Sequence, residues 1–330
     1  MNLLHFKSKK QNQKFSPIGC GMLAAGAICA AVNATPHIKA STALQQYNLI
    51  VLGNYAGSNS DVQGTAFVAG NLSGTETFGN DLNNYSGTSL TVGGSITSTN
   101  IQVNQGNVVV GGNVPTAWIP NSHGTVSTGQ SINVTAIEDA VSQESAAWET
   151  TASNGVTVNG PTSGSQYLDF VINTSSPTAV VDISSSVLNN LTNAQIEFTG
   201  LASGQQVVVN VDGTTINTSS SVNFNPVSSE TADVLWNFYN ATSINFSAEF
   251  YGSVLAPDAS ITSNAPIDGS VAVNEFNTSS EVHLPLTDIL LPPTTVATGG
   301  PLPVPASFGL VAVGSVALLA GAGMRKSVRI

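Results

Sequence analysis

Val92-Gly93-Gly94-Ser95-Ile96 is followed 18 residues later by Val110-Gly111-Gly112-Asn113-Val114. Val68-Ala69-Gly70-Asn71-Leu72 precedes both as a relative, and Gly64 opens the short apolar stretch that leads into it. Nearer the C-terminus, Tyr251-Gly252-Ser253-Val254 recurs as Asp268-Gly269-Ser270-Val271, 17 residues later. A repeat of this length fits one coil of a parallel β-solenoid, in which each coil buries its alternate apolar residues on the next. Glycine belongs where such a chain turns sharply, because it lacks the Cβ that a crowded corner excludes. The pattern predicts a mainly β chain, a right-handed parallel β-helix with one long α-helix packed alongside. The alternative is a β-sandwich whose strands share turn chemistry.

The rest of the body agrees with short strands. Asn48–Gly53, Gly64–Val68, Ser89–Val92, Asn107–Val110 and Val207–Val211 are β-branched or apolar runs punctuated by glycine or asparagine. One segment departs from this. Ile137, Ala140, Val141, Glu144 and Trp148 fall on helical spacing within Thr135–Ala152. Thr135 is the expected N-cap, with Glu138 and Asp139 in the first turn, where the helix dipole favours acids. Ile137, Val141 and Trp148 would form the apolar stripe that docks the helix.

Charge divides the chain into three parts. It carries 8 Lys and Arg against 19 Asp and Glu, a net charge of -11. All the cations lie at or before Lys39 or from Arg325 onward, and all the acids lie between Asp61 and Asp288. Lys7, Lys9, Lys10 and Lys14 precede the apolar run Ile18–Val32, and Val32-Asn33-Ala34 offers small residues for cleavage after Ala34. Residues 1–34 therefore read as a signal peptide, with an uncleaved anchor as the alternative. Both cysteines, Cys20 and Cys29, lie in this segment and lack a lipobox, so the mature body would hold no disulfide.

At the other end, 291–307 is a proline-rich spacer, 308–324 an uncharged apolar segment near the lower length limit for a membrane span, and 325–330 a basic tail. A buried C-terminal helix is the competing reading of 308–324.

The acidic body, 41–290, excludes several chemistries. With no Lys or Arg it lacks the cations that a nucleic-acid groove, a phosphoryl-transfer site or a uronate lyase needs. The body's histidines, His123 and His283, lie far apart in sequence with no metal-type neighbour at helical or short-loop spacing, and read as surface or structural. Asp61, Asp212, Asp258 and Asp268 are left as carboxylates that the fold could pair. Calcium is a candidate cation for so acidic a body, yet no EF-hand loop or glycine-aspartate array is present. The acids are otherwise explained as solubilising. The chain is expected to be non-enzymatic and to need no cofactor.

The tail Pro303-Val304-Pro305-Ala306-Ser307, with its apolar segment and Arg325-Lys326, resembles the PEP-CTERM sorting signals, in particular the VPLPA-type variant. The resemblance implies an exosortase-type processing protease as partner. Leu291-Pro292-Pro293-Thr294-Thr295 is a weaker likeness to a sortase signal, with Thr295 where glycine is required. Within the body, Ala43-Leu44-Gln45-Gln46-Tyr47-Asn48-Leu49-Ile50-Val51-Leu52-Gly53, Ser60-Asp61-Val62-Gln63-Gly64 and Val68-Ala69-Gly70-Asn71 resemble the choice-of-anchor A family. So do Ile244-Asn245-Phe246, Gly252-Ser253-Val254-Leu255-Ala256-Pro257 and Ile267-Asp268-Gly269-Ser270-Val271.

That resemblance implies a β-helical surface protein with an adhesive role and brings no catalytic residues. The expected function is adhesion at the cell surface or in an extracellular matrix, through noncovalent contacts to a polysaccharide or matrix protein. Ice or another flat surface is the alternative ligand, for which Thr75, Thr77, Thr97 and Thr99 are the threonine pairs to place. A structural component of an exopolysaccharide matrix, without a single ligand, is a third reading.

Overall fold

A computed structural model describes residues 42–116, 118, 124–161, 166–224 and 234–292. The signal peptide with Ala34, the sorting residues Pro303 to Ser307, the segment 308–324, Arg325, Lys326 and His123 lie outside the described residues.

The N-terminal half contributes β1 (Leu49–Val51), β2 (Tyr55–Val62), β3 (Ala66–Val68), β4 (Leu72–Phe78), β5 (Thr88–Val92), β6 (Asn100–Val103), β7 (Asn107–Val110) and β8 (Val126–Ser127). The helix α1 (Val134–Glu149) follows. The C-terminal half opens with β9 (Val156–Asn159), β10 (Tyr167–Ile172), β11 (Thr178–Ser184), α2 (Ser185–Asn189) and β12 (Gln195–Thr199). It continues through β13 (Gln206–Asp212), β14 (Thr215–Asn217), β15 (Val234–Asn237), β16 (Ser243–Phe246) and β17 (Phe250–Tyr251). It ends with β18 (Ser253–Ser263), β19 (Ile267–Asp268), β20 (Val271–Thr278) and β21 (Val282–His283).

The strands stack as a β-solenoid. Nearly every pairing is parallel; β9 with β10 is the antiparallel exception. The first face runs β11-β13-β15-β18-β20-β1-β3-β5-β7-β8. Its order places the first described strand, β1, in the middle of the stack. β1 lies between β20 and β3, pairing Leu49 with Val271 on one side and Ala66 on the other. The N-terminal coils build outward from β1, and the C-terminal coils return to meet it. The second face holds β14, β16 and the later parts of β18 and β20, which turn the corner around Pro257. The third holds β17-β19-β21 and the ends of β2, β4 and β6.

The 18-residue repeat is one coil: Val92 pairs with Val110 across β5 and β7. The 17-residue repeat is another, pairing Val254 with Val271. Val51, Val68, Val92 and Val110 form one inward row in register. Burying like side chains in line explains how a chain with few large residues builds a continuous core, each valine adding about 1.5–3 kcal/mol.

The corners explain the glycines. A Cβ on Gly93 would collide with the Ala69 carbonyl oxygen, and one on Gly111 with that of Gly93. Their neighbours make room for a polar ladder. The Asn71 N–H donates to Asn54 Oδ1 at 2.7 Å, the Ser95 N–H to Asn71 Oδ1 at 2.8 Å, and the Asn113 N–H to Ser95 Oγ at 3.0 Å. A Cβ on Gly70 would lie 2.5 Å from Asn54 Oδ1, and one on Gly94 2.6 Å from Asn71 Oδ1; on Gly112 it would strike Ser95 Oγ. Gly64, Gly252 and Gly269 occupy the opposite corner, leading into β3, β18 and β20.

α1 crosses the outer side of the first face. Its N-terminal end lies over Gly93, where Val134 packs. Near its C-terminal end, the Asn210 amide donates to the Trp148 carbonyl at 2.8 Å. Ser145 Oγ donates to Asn237 Oδ1 at 2.7 Å, and the Asn237 amide donates back to the Ser145 carbonyl and to Asn210 Oδ1. Ile137, Val141 and Trp148 bury against Ile50, Phe67, Val208, Leu235, Leu255 and Ala272.

The cap differs from the sequence expectation. Asn133, not Thr135, is the N-cap, its side chain accepting from the Ala136 N–H at 3.2 Å. An asparagine side chain just ahead of the helix wins over a threonine already inside it. The first turn therefore contains no acid; Glu138 and Asp139 lie beyond it. The helix also ends at Glu149 rather than reaching Ala152.

Candidate binding face

The first face is covered by α1, by the segment holding Ala43, Leu44 and Tyr47, and by Ile289. The second face has no such cover among the described residues. Strand alternation sends Ile216, Ile244, Ile261 and Phe276 inward and leaves their neighbours outside. Register then sorts the outward residues into two rows. Thr215, Ser243, Ser260 and Glu275 stand side by side, and next to them Asn217, Asn245, Thr262 and Asn277. Successive strands are about 4.8 Å apart, so the rows present hydroxyls and carboxamides at that interval, with a carboxylate at Glu275. Asn277 donates to Ser260 Oγ at 3.2 Å, which ties one row to the other. Parallel pairing on both sides fixes the two inner strands of the rows, β16 and β18.

On the N-terminal side of this face Ala56 pairs with Ser73 and Ser58 with Thr75. A shallow notch of about 340 Å³ separates the two halves, lined by Tyr55, Asn71, Ser73, Thr97, Glu275 and Asn277. The threonine pairs read from sequence do not form one row. Thr75 stands opposite Ser58 and Asn100 on β4, and Thr77 opposite Asp61 and Gln102 further round the coil. Thr97 and Thr99 lie exposed between β5 and β6. The ordered rows come instead from mixed Thr, Ser and Asn in the C-terminal coils. Their sequence spacings are unequal: Ser243 follows Thr215 by 28 residues, Ser260 follows Ser243 by 17 and Glu275 follows Ser260 by 15.

The acids fall into different environments. Glu76 points into the solenoid beneath the notch. Its carboxylate accepts from the Tyr55 hydroxyl at 2.5 Å and from Ser60 Oγ at 2.9 Å. Burial raises its pKa, and those hydrogen bonds oppose the rise. Asp212 accepts from the Asn240 amide at 2.7 Å, and Asp258 is exposed at the corner of β18.

On the third face the structure gathers residues that are distant in sequence. His283 Nδ1 lies 2.6 Å from Asp268 Oδ1, and its Nε2 lies 2.7 Å from Glu281 Oε2. Desolvation alone would lower the imidazole pKa, but the bonds and charges of Glu281 and Asp268 outweigh it and hold the pKa above its ordinary value. Desolvation, Glu249 and Asp268 push the Tyr251 phenol up to about 12. Asp61, the neighbour on β2, accepts from the Asn80 amide at 2.6 Å. Its carboxyl is raised by desolvation and by Glu281. Sequence distance hid this cluster. The signal that finds it is the repeat itself, since Asp268 follows Tyr251 by one coil.

Among the described residues no helix is long and apolar enough to cross a membrane. Two solved structures resemble this fold. An ice-binding protein from the Antarctic ascomycete Antarctomyces psychrotrophicus is 13% identical, with 73% of this chain and 96% of that chain covered at a TM-score of 0.39. An ice-binding protein from an Antarctic biological consortium is 14% identical, covering 74% and 89% at a TM-score of 0.29. A search of curated proteins gives no match. Residues 40–284, well over half of the chain, match the family described as "Putative Ice-binding-like adhesive domain", and the chain belongs to that family.

Proposed function

We propose that this protein is a non-catalytic surface adhesin whose second face binds an extended, regular surface, and that ice is the surface it fits best. The observation that carries the reading is the pair of register-aligned rows, Thr215-Ser243-Ser260-Glu275 and Asn217-Asn245-Thr262-Asn277. Family membership supports it. An array of short polar groups, uncharged but for one, offers many weak hydrogen bonds in a fixed geometry. Binding to a rigid lattice rewards that pre-organisation, since little side-chain entropy is lost on contact. Glu275 is the one charge in the two rows.

The matrix-polysaccharide reading is less well supported. Sugar sites use exposed aromatic rings for stacking, and the one exposed large hydrophobic side chain among the described residues is Tyr167 on β10. Adsorption of the labelled protein to ice, measured beside its retention on insoluble polysaccharides and matrix proteins, tests the choice. Retention on a polysaccharide without ice adsorption would replace ice as the ligand and restore matrix adhesion.

Adhesion requires display outside the cell. The reading therefore includes export with cleavage after Ala34, an anchor at 308–324 and handling of the Pro303–Ser307 tail by an exosortase-type protease. The arrangement is that of a choice-of-anchor A protein, and several copies on one cell would add avidity. Pulse-chase tracking of a C-terminal tag tests it: loss of the tag during maturation is expected, and a tag retained in the cytoplasm refutes it.

A further inference from the structure

The third face carries a cluster that surface adsorption does not use. Ligating atoms of Glu249, Asp268 and His283 all lie within 4.8 Å of one another. They come from three successive coils: Glu249 precedes β17, Asp268 ends β19 and His283 ends β21. The cluster is more than a set of acids, because an imidazole sits within it and is oriented from behind. Glu281 Oε2 lies 2.7 Å from His283 Nε2, the position from which a carboxylate can hold a proton on that nitrogen. Nδ1 faces Asp268 Oδ1 at 2.6 Å. Between Lys39 and Arg325 there is no lysine or arginine to neutralise these acids. The Nδ1 position is open to two partners, a ring proton shared with Asp268 or a metal ion that Nδ1 and the two carboxylates ligate.

We propose that Glu249, Asp268 and His283 bind a divalent transition metal of the Zn2+ class, with Glu281 as the outer carboxylate that fixes the imidazole tautomer. Nitrogen with carboxylate oxygen suits Zn2+ and Co2+ better than Ca2+, which takes oxygen ligands alone. The carboxylate-histidine-metal arrangement is the usual way that a protein orients a ligating imidazole. Tyr251 lies beside Glu249 and Asp268 and helps to hold both carboxylates. The ion would staple three coils next to the junction where β21 meets β2 at Val282 and Val62. A body without cysteine gains there a cross-link of another kind.

The test is calorimetric titration of the full chain with Zn2+, with thermal melting in Zn2+ and in chelator. One Zn2+ is expected per cluster, with melting raised by the metal. His283→Asn and Asp268→Asn should each weaken that binding at least tenfold and abolish the melting shift. Glu281→Gln, which touches only the outer partner, should weaken it about tenfold. All three variants should melt as the parent does in chelator, which separates loss of the site from loss of the fold. Zn2+ binding that persists unchanged in His283→Asn would come from elsewhere in the chain and would overturn the proposal. An absence of binding to the parent at millimolar Zn2+ would overturn it in favour of the doubly protonated ring.

Discussion

Glu144 is the residue whose perturbation most directly reports the packing of α1. It lies on the buried stripe between Val141 and Trp148, is 1% exposed, and neither carboxyl oxygen has a hydrogen-bond partner. Burial pushes its carboxyl up to about 8 from an ordinary 4.5. A folded-state pKa above the unfolded one means that the folded chain holds the proton more tightly. The stability is then fully present below about pH 4.5 and is lost as pH rises through about 8. The size follows from the two values at about 1.4 kcal/mol per pH unit: about 3 kcal/mol lost by pH 7 and about 5 kcal/mol above pH 8.

Glu144→Met keeps the volume and removes the titration, so the variant should be the more stable protein at neutral pH. Urea unfolding of both proteins from pH 5 to pH 9 measures the difference. Near pH 5 the two should lie within about 1 kcal/mol, and by pH 8 the methionine variant should lead by several. Parallel pH profiles would refute the reasoning, because they would mean that Glu144 ionises as freely in the folded chain as in the unfolded one.

Gly93→Val and Gly111→Val each drive a side chain into a backbone carbonyl of the neighbouring coil and should cost at least about 1–3 kcal/mol; unchanged melting in both would deny the coil geometry. Asn237→Ala leaves Ser145 and Asn210 without their buried partner and should cost about 2–3 kcal/mol, loosening α1 from the sheet, as faster hydrogen exchange in the helix would report. Asn71→Ala removes the side-chain oxygen that accepts from the Ser95 N–H at a corner exposed to water, so its loss should be smaller, about 1 kcal/mol by urea unfolding.

The sequence made the solenoid legible where corner chemistry repeats. Gly93-Gly94 and Gly111-Gly112 mark one corner at one-coil spacing because both the backbone and the ladder side chain need the space that a Cβ would fill. Ser253 and Ser270 mark another, with the Ser270 N–H donating to Ser253 Oγ at 3.0 Å. The winding from both ends was not legible. Nothing in a local pattern places Leu49 between Val271 and Ala66, since one of the two partners lies at the far end of the body. Asn48 closes the joint: its amide donates to the Gly269 and His283 carbonyls at 3.0 and 2.9 Å, and its oxygen accepts from the Gly64 N–H at 2.9 Å.

The candidate binding face was legible in kind but not in place. Thr75 and Thr97 attract attention by composition, whereas the ordered rows depend on Ser243, Asn245, Ser260 and Thr262, which only register aligns. Helical spacing grouped Glu144 with Ile137, Val141 and Trp148, and the structure buries it beside them, but spacing says nothing of whether a partner awaits the carboxyl.

The central claim is that the second face, and no other, holds the surface. Its most direct test is the partition of labelled protein into a slowly growing ice crystal, comparing the parent with Ser260→Tyr/Thr262→Tyr and with a control pair of tyrosines at Glu197 and Thr199 on β12. The account predicts that the parent and the control enter the ice, while the second-face variant is excluded with its melting unchanged. Entry of all three alike, or of none, would contradict it.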